Sequence, residues 1–215
     1  MGIGRLRQSK NLHLVVRKIA VTQRLVNEPR TGETRDCLDH RLNLMVTNLG
    51  FLPVPIPNVL GEDANEVERW IDAISPSGII LSGGGNVGSQ SESLRDELER
   101  SLIDRAVRDG LPLLGICRGM QQIGIVFGVA LQPVKNHVSC QHTLVGDYSH
   151  RVNSYHEYAL AECPSNFRVA AKTSDGVIEA ITHKSLPILG VMWHPERVNL
   201  MSREDYDAIN RLFGP

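Results

Sequence analysis

Cys117 lies within Gly115-Ile-Cys-Arg-Gly-Met-Gln121, with one glycine two residues before it and another two after. A continuous apolar run, Leu111 to Ile116, leads into it and a helix-forming stretch continues to about Phe127, so the pattern resembles a strand-to-helix turn with the sulfur at its tip. The chemistry offered is nucleophilic. Such a turn lifts the side chain off the backbone, flanking glycines leave it uncrowded, and a helix N-terminus favours thiolate. A thiolate also needs a proton carrier. Trp193-His194-Pro195-Glu196 closes the apolar run Ile188 to Met192, offering His194 as general base and then acid, with Glu196 to orient the ring and stabilise imidazolium. Acyl transfer further needs donors for an oxyanion. Ser82-Gly-Gly-Gly85 follows the apolar run Gly78 to Leu81 and lets a backbone N–H approach a carbonyl unobstructed; the N–H of Arg118 would be the second donor. The glycine run does not match the phosphate-loop pattern G-x-x-x-x-G-K-[S/T].

Secondary elements must hold these three segments together. Ile19 to Thr22 reads as a short strand followed by a loop, and Leu38, Leu42, Met45 and Leu49 then recur at helical spacing until Gly50. Phe51 to Pro57 carries three prolines, and a residue without a ladder donor predicts an edge strand. Val67, Trp70, Ile71 and Ile74 mark a second helix, and Leu94, Leu98, Leu102 and Val107 a third that ends at Gly110. Four strand-then-helix alternations predict an α/β fold with a doubly wound, mostly parallel central sheet. The runs Val152 to Tyr158, Phe167 to Thr173, Val177 to Thr182 and Ile188 to Trp193 have few helices between them, which predicts a mixed or antiparallel extension of the same sheet. A helix over Arg203 to Phe213 closes the chain.

With 215 residues, 41% hydrophobic, the chain suits one compact domain. Lys and Arg total 23 against 24 Asp and Glu, so no sequence-wide field draws it to nucleic acid or an anionic membrane. No apolar run approaches the roughly 20 residues that span a bilayer. Residues 1–17 form a basic extension (Arg5, Arg7, Lys10, Arg17) without the apolar core of a signal peptide, so the expected location is cytoplasmic. Four cysteines without a C-x-x-C pair read as reduced thiols. His137 and His142 have no Cys or carboxylate cluster at ligand spacing, so neither metal nor cofactor is expected. Asn153, Ser154 and His156 alternate on a strand and are candidates to grip a polar head group. Arg24, Arg35 and Arg118 are candidates to neutralise phosphate oxygens.

Gly115 to Gln121, the Gly83-Gly84 loop and His194-Pro-Glu196 together resemble the class I glutamine amidotransferase family over residues 18–215. The resemblance implies a flavodoxin-like fold and Cys117, His194 and Glu196 as a catalytic triad acting through a thioester. It also implies the Gly84 and Arg118 amides as oxyanion hole and Gln121 as a contact to a glutamyl head group. Cys117-Arg-Gly-Met-Gln121 and Val152-Asn-Ser-Tyr-His156 are similar to the stand-alone γ-glutamyl hydrolase branch, which cleaves a γ-glutamyl amide and releases glutamate. Thr22-Gln-Arg24, Glu33 to Asp39, Pro53 to Asn58 and Gly190 to Arg197 resemble bacterial hydrolases of γ-glutamyl-CDP-amidate, which implies a nucleotide-linked substrate and a place in capsule phosphoramidate synthesis. Relatives act on γ-glutamyl-aminobutyrate or γ-glutamyl amines, but Asn86 stands where many polyamine-pathway members carry an acid. Two further roles remain compatible: a glutaminase subunit handing ammonia to a synthetase, and a silent binding protein, whose mark would be loss of a triad member.

Overall fold

The computed structural model describes residues 16–89 and 92–214; residues 1–15 of the expected basic extension lie outside them. The first half of the chain contributes strands β1 (Lys18–Val21), β2 (Arg24–Glu28), β3 (Glu33–Cys37), β4 (Leu52–Pro55), β5 (Gly78–Leu81) and β6 (Leu113–Ile116). The second half contributes β7 (Leu131–Pro133), β8 (Val138–Thr143), β9 (Val145–Gly146), β10 (Arg151–Tyr155), β11 (Tyr158–Leu160), β12 (Phe167–Lys172), β13 (Ile178–His183) and β14 (Ile188–Val191). The helices are α1 (His40–Asn48), α2 (Ala64–Ile74), α3 (Ser93–Asp109), α4 (Arg118–Val126) and α5 (Arg203–Phe213).

Eight strands form the central sheet in the order β4-β1-β5-β6-β14-β13-β12-β9. The five from β4 to β14 pair in parallel, and β13, β12 and β9 continue the sheet antiparallel. Strand alternation sorts the core onto two faces. Ile19, Val21, Ile80, Leu114, Ile116, Leu189 and Val191 pack with α1 and α5, whereas Ala20, Ile79, Leu81, Leu113 and Ile188 pack with α2, α3 and α4. This is the doubly wound α/β arrangement expected from the sequence, including its antiparallel extension. The proline-bearing β4 sits at the edge, where a missing donor costs no ladder bond. Asp39 caps α1 by accepting from the Arg41 amide, and α3 stops at Gly110, whose φ of 66° is left-handed.

Two local readings differ from expectation. Residues 24–37, read as loop, form the hairpin β2–β3. Its strands are polar and largely exposed, so hydrophobic alternation gives no strand signal there. Val152 to Tyr158, read as one strand of the extended sheet, divides into β10, paired with β8, and β11, paired with β7, both outside the eight-stranded sheet.

Candidate active site

Three neighbouring parallel strands, β5, β6 and β14, end on the same side of the sheet, the usual place for a site in such folds. The loop after β5 carries Ser82 to Gly85, the turn after β6 carries Cys117, and the segment after β14 carries His194 and Glu196. Cys117 has φ 51° and ψ −104°, a sparsely populated combination for a residue with a side chain. Its N–H donates to Val191 O at 2.7 Å and its carbonyl accepts from the Gln121 amide at 3.1 Å. The turn is thus tied on one side to β14 and on the other to α4. The flanking glycines do not serve to uncrowd the sulfur. A methyl group on Gly119 would lie 2.3 Å from Leu81 O, and one on Gly115 would lie 2.7 Å from the Gly119 backbone, so both permit close packing of α4 against β5 and β6. Gly83 does meet the chemical groups: a methyl there would lie 2.5 Å from His194 Cε1 and 3.4 Å from Cys117 Cβ.

His194 is buried, and its Nδ1 is 2.6 Å from Glu196 Oε1. Burial alone lowers the imidazole pKa, but the neighbouring Cys117 and Glu196 outweigh that and raise it from 6.5 to about 9. The balance favours the imidazolium, whose Nδ1 faces the Glu196 carboxylate. Asn153 fixes the backbone beneath it. Its amide donates to His194 O at 2.8 Å and its Oδ1 accepts from His194 N–H at 2.8 Å. Trp193, fully buried, donates from Nε1 to Asp205 Oδ1 at 3.1 Å and fastens the same segment to α5.

Behind the turn lies a buried charge cluster. The Arg118 guanidinium donates to Glu99 and Asp96, and Arg95 Nε donates to Glu99 Oε1 at 2.9 Å. Arg95 also donates to the carbonyls of Gly84, at 2.7 Å, and Ser82, at 2.5 Å. Burial opposes ionisation of Glu99, but Arg118 and Arg95 hold its carboxyl below the usual range. Arg95 thus braces the glycine loop from its carbonyl side.

A family model for Glutamine amidotransferase class-I matches residues 37–209. The chain belongs to this family. It is 30% identical over 188 residues to the gamma-glutamyl-CDP-amidate hydrolase of Campylobacter jejuni, spanning 84% of this chain and 90% of that enzyme. It is 34% identical over 142 residues to a subunit of the glutamine-hydrolysing GMP synthase of Methanothrix thermoacetophila, spanning 60% of this chain and 72% of that subunit. A glutamine amidotransferase of Thermotoga maritima, 18% identical and covering 91% of this chain and 83% of its own, superposes with a TM-score of 0.61, a likeness of fold.

Within this class I glutamine amidotransferase framework the expected site residues fall into distinct settings. Cys117, His194, Gln121, His156, Arg24 and Gly84 line one cleft of about 320 Å³. Gly84 has φ 83°, and Arg118 is the first residue of α4, where no preceding carbonyl is placed to accept its N–H. Gln121 donates from Nε2 to Tyr158 O at 2.8 Å. Asn153 and Ser154 are buried and bonded to backbone, Ser154 Oγ donating to His137 O at 2.7 Å. The Arg118 guanidinium is spent in the buried cluster, so it does not reach a substrate phosphate. Arg35 lies exposed on β3, paired with Glu33, and is not among the cleft-lining residues. Arg24, by contrast, lies against Gly84. The sequence reading misses Arg197. It lines the cleft, sits 5.3 Å from the Tyr155 ring centroid and 3.5 Å from Glu196 Oε1; its place next to Glu196 is the available signal. Among the described residues no helix is long and apolar enough to cross a membrane.

Proposed function

We propose that the chain hydrolyses a γ-glutamyl amide with Cys117 as nucleophile, His194 as acid and base, and Glu196 as orienting anion. The observation that carries this reading is the left-handed Cys117 turn, which shares one cleft with an imidazole that Glu196 anchors at 2.6 Å. The Cys117 thiolate attacks the γ-carbonyl carbon, and the resulting oxyanion accepts from the N–H groups of Gly84 and Arg118. His194 gives its proton to the leaving nitrogen as the C–N bond breaks, leaving a thioester. His194, now neutral, takes a proton from water; the hydroxide attacks the thioester carbon, and departure of the thiolate releases glutamate. Gln121 and the His156 segment hold the glutamyl α-groups.

The substrate reading is γ-glutamyl-CDP-amidate, cleaved to glutamate and cytidine diphosphoramidate for capsule phosphoramidate synthesis. Its support is the likeness to the Campylobacter jejuni enzyme and the approach of two guanidiniums, Arg24 and Arg197, to one cleft, which suits phosphate oxygens. The test is kcat/KM for γ-glutamyl-CDP-amidate, γ-glutamyl-aminobutyrate and glutamine. The nucleotide substrate is expected to lead by about tenfold or more, a difference of about 1.4 kcal/mol, and the lead should shrink in Arg24→Ala but not in Arg35→Ala. Equal efficiency on all three overturns the nucleotide reading. Turnover by folded Cys117→Ala overturns the mechanism. A second reading, a glutaminase serving a synthetase, draws on the likeness to the GMP synthase subunit of Methanothrix thermoacetophila; steady turnover by the isolated chain excludes it.

A further inference from the structure

Away from the Cys117–His194 pair, His137, His156 and Glu179 bring three ligand atoms within 4.8 Å of one another. All three residues are buried. His137 precedes β8, His156 follows β10 and Glu179 lies in β13, so the cluster joins the β8–β10 hairpin to the central sheet. Sequence spacing carries no hint of it, because the three come from separate elements.

The outward nitrogen of each imidazole is already oriented. His137 Nε2 lies 3.1 Å from Asp175 Oδ2, and His156 Nδ1 lies 3.1 Å from Tyr158 O. Both partners are acceptors, so in the neutral ring each outward nitrogen carries the N–H and the inward nitrogen keeps its lone pair. Those inward atoms, His137 Nδ1 and His156 Nε2, stand 3.2 Å and 3.3 Å from Glu179 Oε1. Neither contact has the alignment of a hydrogen bond, and both Glu179 oxygens are buried without a hydrogen-bond partner. Two lone pairs and a carboxylate converging in a water-poor interior constitute a costly arrangement unless a cation joins them.

We propose that His137, His156 and Glu179 bind one divalent transition-metal ion, of which zinc fits best. Tetrahedral zinc with bonds of about 2.0–2.1 Å separates its ligand atoms by about 3.3 Å, which matches the two nitrogen–oxygen separations. The second Glu179 oxygen or a water completes the coordination. Asp175 and the Tyr158 carbonyl are the outer partners that ligating histidines commonly have. The role is structural: the Tyr158 carbonyl also accepts from Gln121, so the ion would hold one wall of the cleft against β13.

The test uses the full chain carrying Cys117→Ser, so that the cleft thiol cannot contribute. Elemental analysis after dialysis should find one zinc per chain, and cobalt replacement should give the visible spectrum of a four-coordinate nitrogen–oxygen site without a thiolate charge-transfer band. Both should vanish in His137→Asn and Glu179→Gln, and Asp175→Asn should weaken metal binding about 10–100-fold. A chelator should lower the Tm of the parent and not that of metal-free variants. Absence of stoichiometric metal from the parent, or undiminished metal in the His137 and Glu179 variants, overturns the proposal. If those two variants do not fold, the parent's metal content, its cobalt spectrum and the exposed Asp175 variant decide it. None of these readouts depends on the hydrolase reading.

Discussion

Asn153 and His194 exchange two hydrogen bonds of 2.8 Å, side chain to backbone, across 41 residues of sequence. The pair fixes where the imidazole starts, so Asn153 is expected to act as a positioning residue behind the cleft, whose lining it does not join. Asn153→Leu should cost about 1–3 kcal/mol of stability, because the buried His194 N–H and carbonyl lose their partner. In enzyme that remains folded, kcat should fall while KM changes little. Denaturant unfolding and steady-state kinetics check both, and a KM rise alone would instead mark Asn153 as a grip on substrate.

The raised pKa of His194, about 9, sets an alkaline limit. In the proposed mechanism the imidazolium protonates the leaving nitrogen, so kcat/KM should fall above about pH 9. The sign for stability is the same. A group whose pKa rises on folding contributes fully below its unfolded value of 6.5 and loses that contribution as pH climbs through about 9. Comparing the pH dependence of Tm between wild type and His194→Gln should show the excess stability confined to the acidic and neutral side.

Glu99 anchors two buried guanidiniums and also accepts from Thr22 Oγ1 at 2.7 Å. Glu99→Gln should destabilise by about 3–5 kcal/mol, since uncompensated buried charge is costly. Denaturant unfolding gives the number. The loss should exceed that of Glu66→Gln, whose pair with Arg69 is exposed on α2.

Gly119→Ala places a methyl against backbone that cannot turn aside, 2.3 Å from Leu81 O. Overpacking of this kind costs about 1–3 kcal/mol, and activity should fall with it because α4 carries the Cys117 turn. Gly50→Ala is the control. Its φ is 86° with no atom within 4 Å, so it should lose about 1 kcal/mol from backbone strain alone. Thermal unfolding of the two variants separates crowding from strain.

The contrast between these residues explains what the sequence could reveal. β5, β6 and β14 are legible because every one of their residues is buried, and a strand covered on both faces reads as an unbroken apolar run. The segments bearing Cys117 and His194 are legible for the same reason, each standing at the end of such a run. The clamp by Asn153 is not, because an asparagine on a strand looks alike whether it meets substrate or a distant backbone. Nor is the purpose of Gly115 and Gly119: the pattern marks a turn, but only the packing of α4 shows that the glycines serve its approach to β5 and β6 rather than the sulfur. The β2–β3 hairpin escapes because its pairing is made by backbone, with no apolar face to write it into the side chains.

The parallel ladder between β6 and β14 pairs Ile116 with Val191, and the next rung joins Cys117 N–H to Val191 O. β14 is the last strand among the described residues, so the sulfur leaves the ribosome well before the segment that carries its imidazole. Long-range parallel pairing is also slow to form. Under the proposed mechanism a nascent chain ending before Ile188 therefore carries the sulfur without its base, and the two meet only when β14 adds to the sheet beside β6.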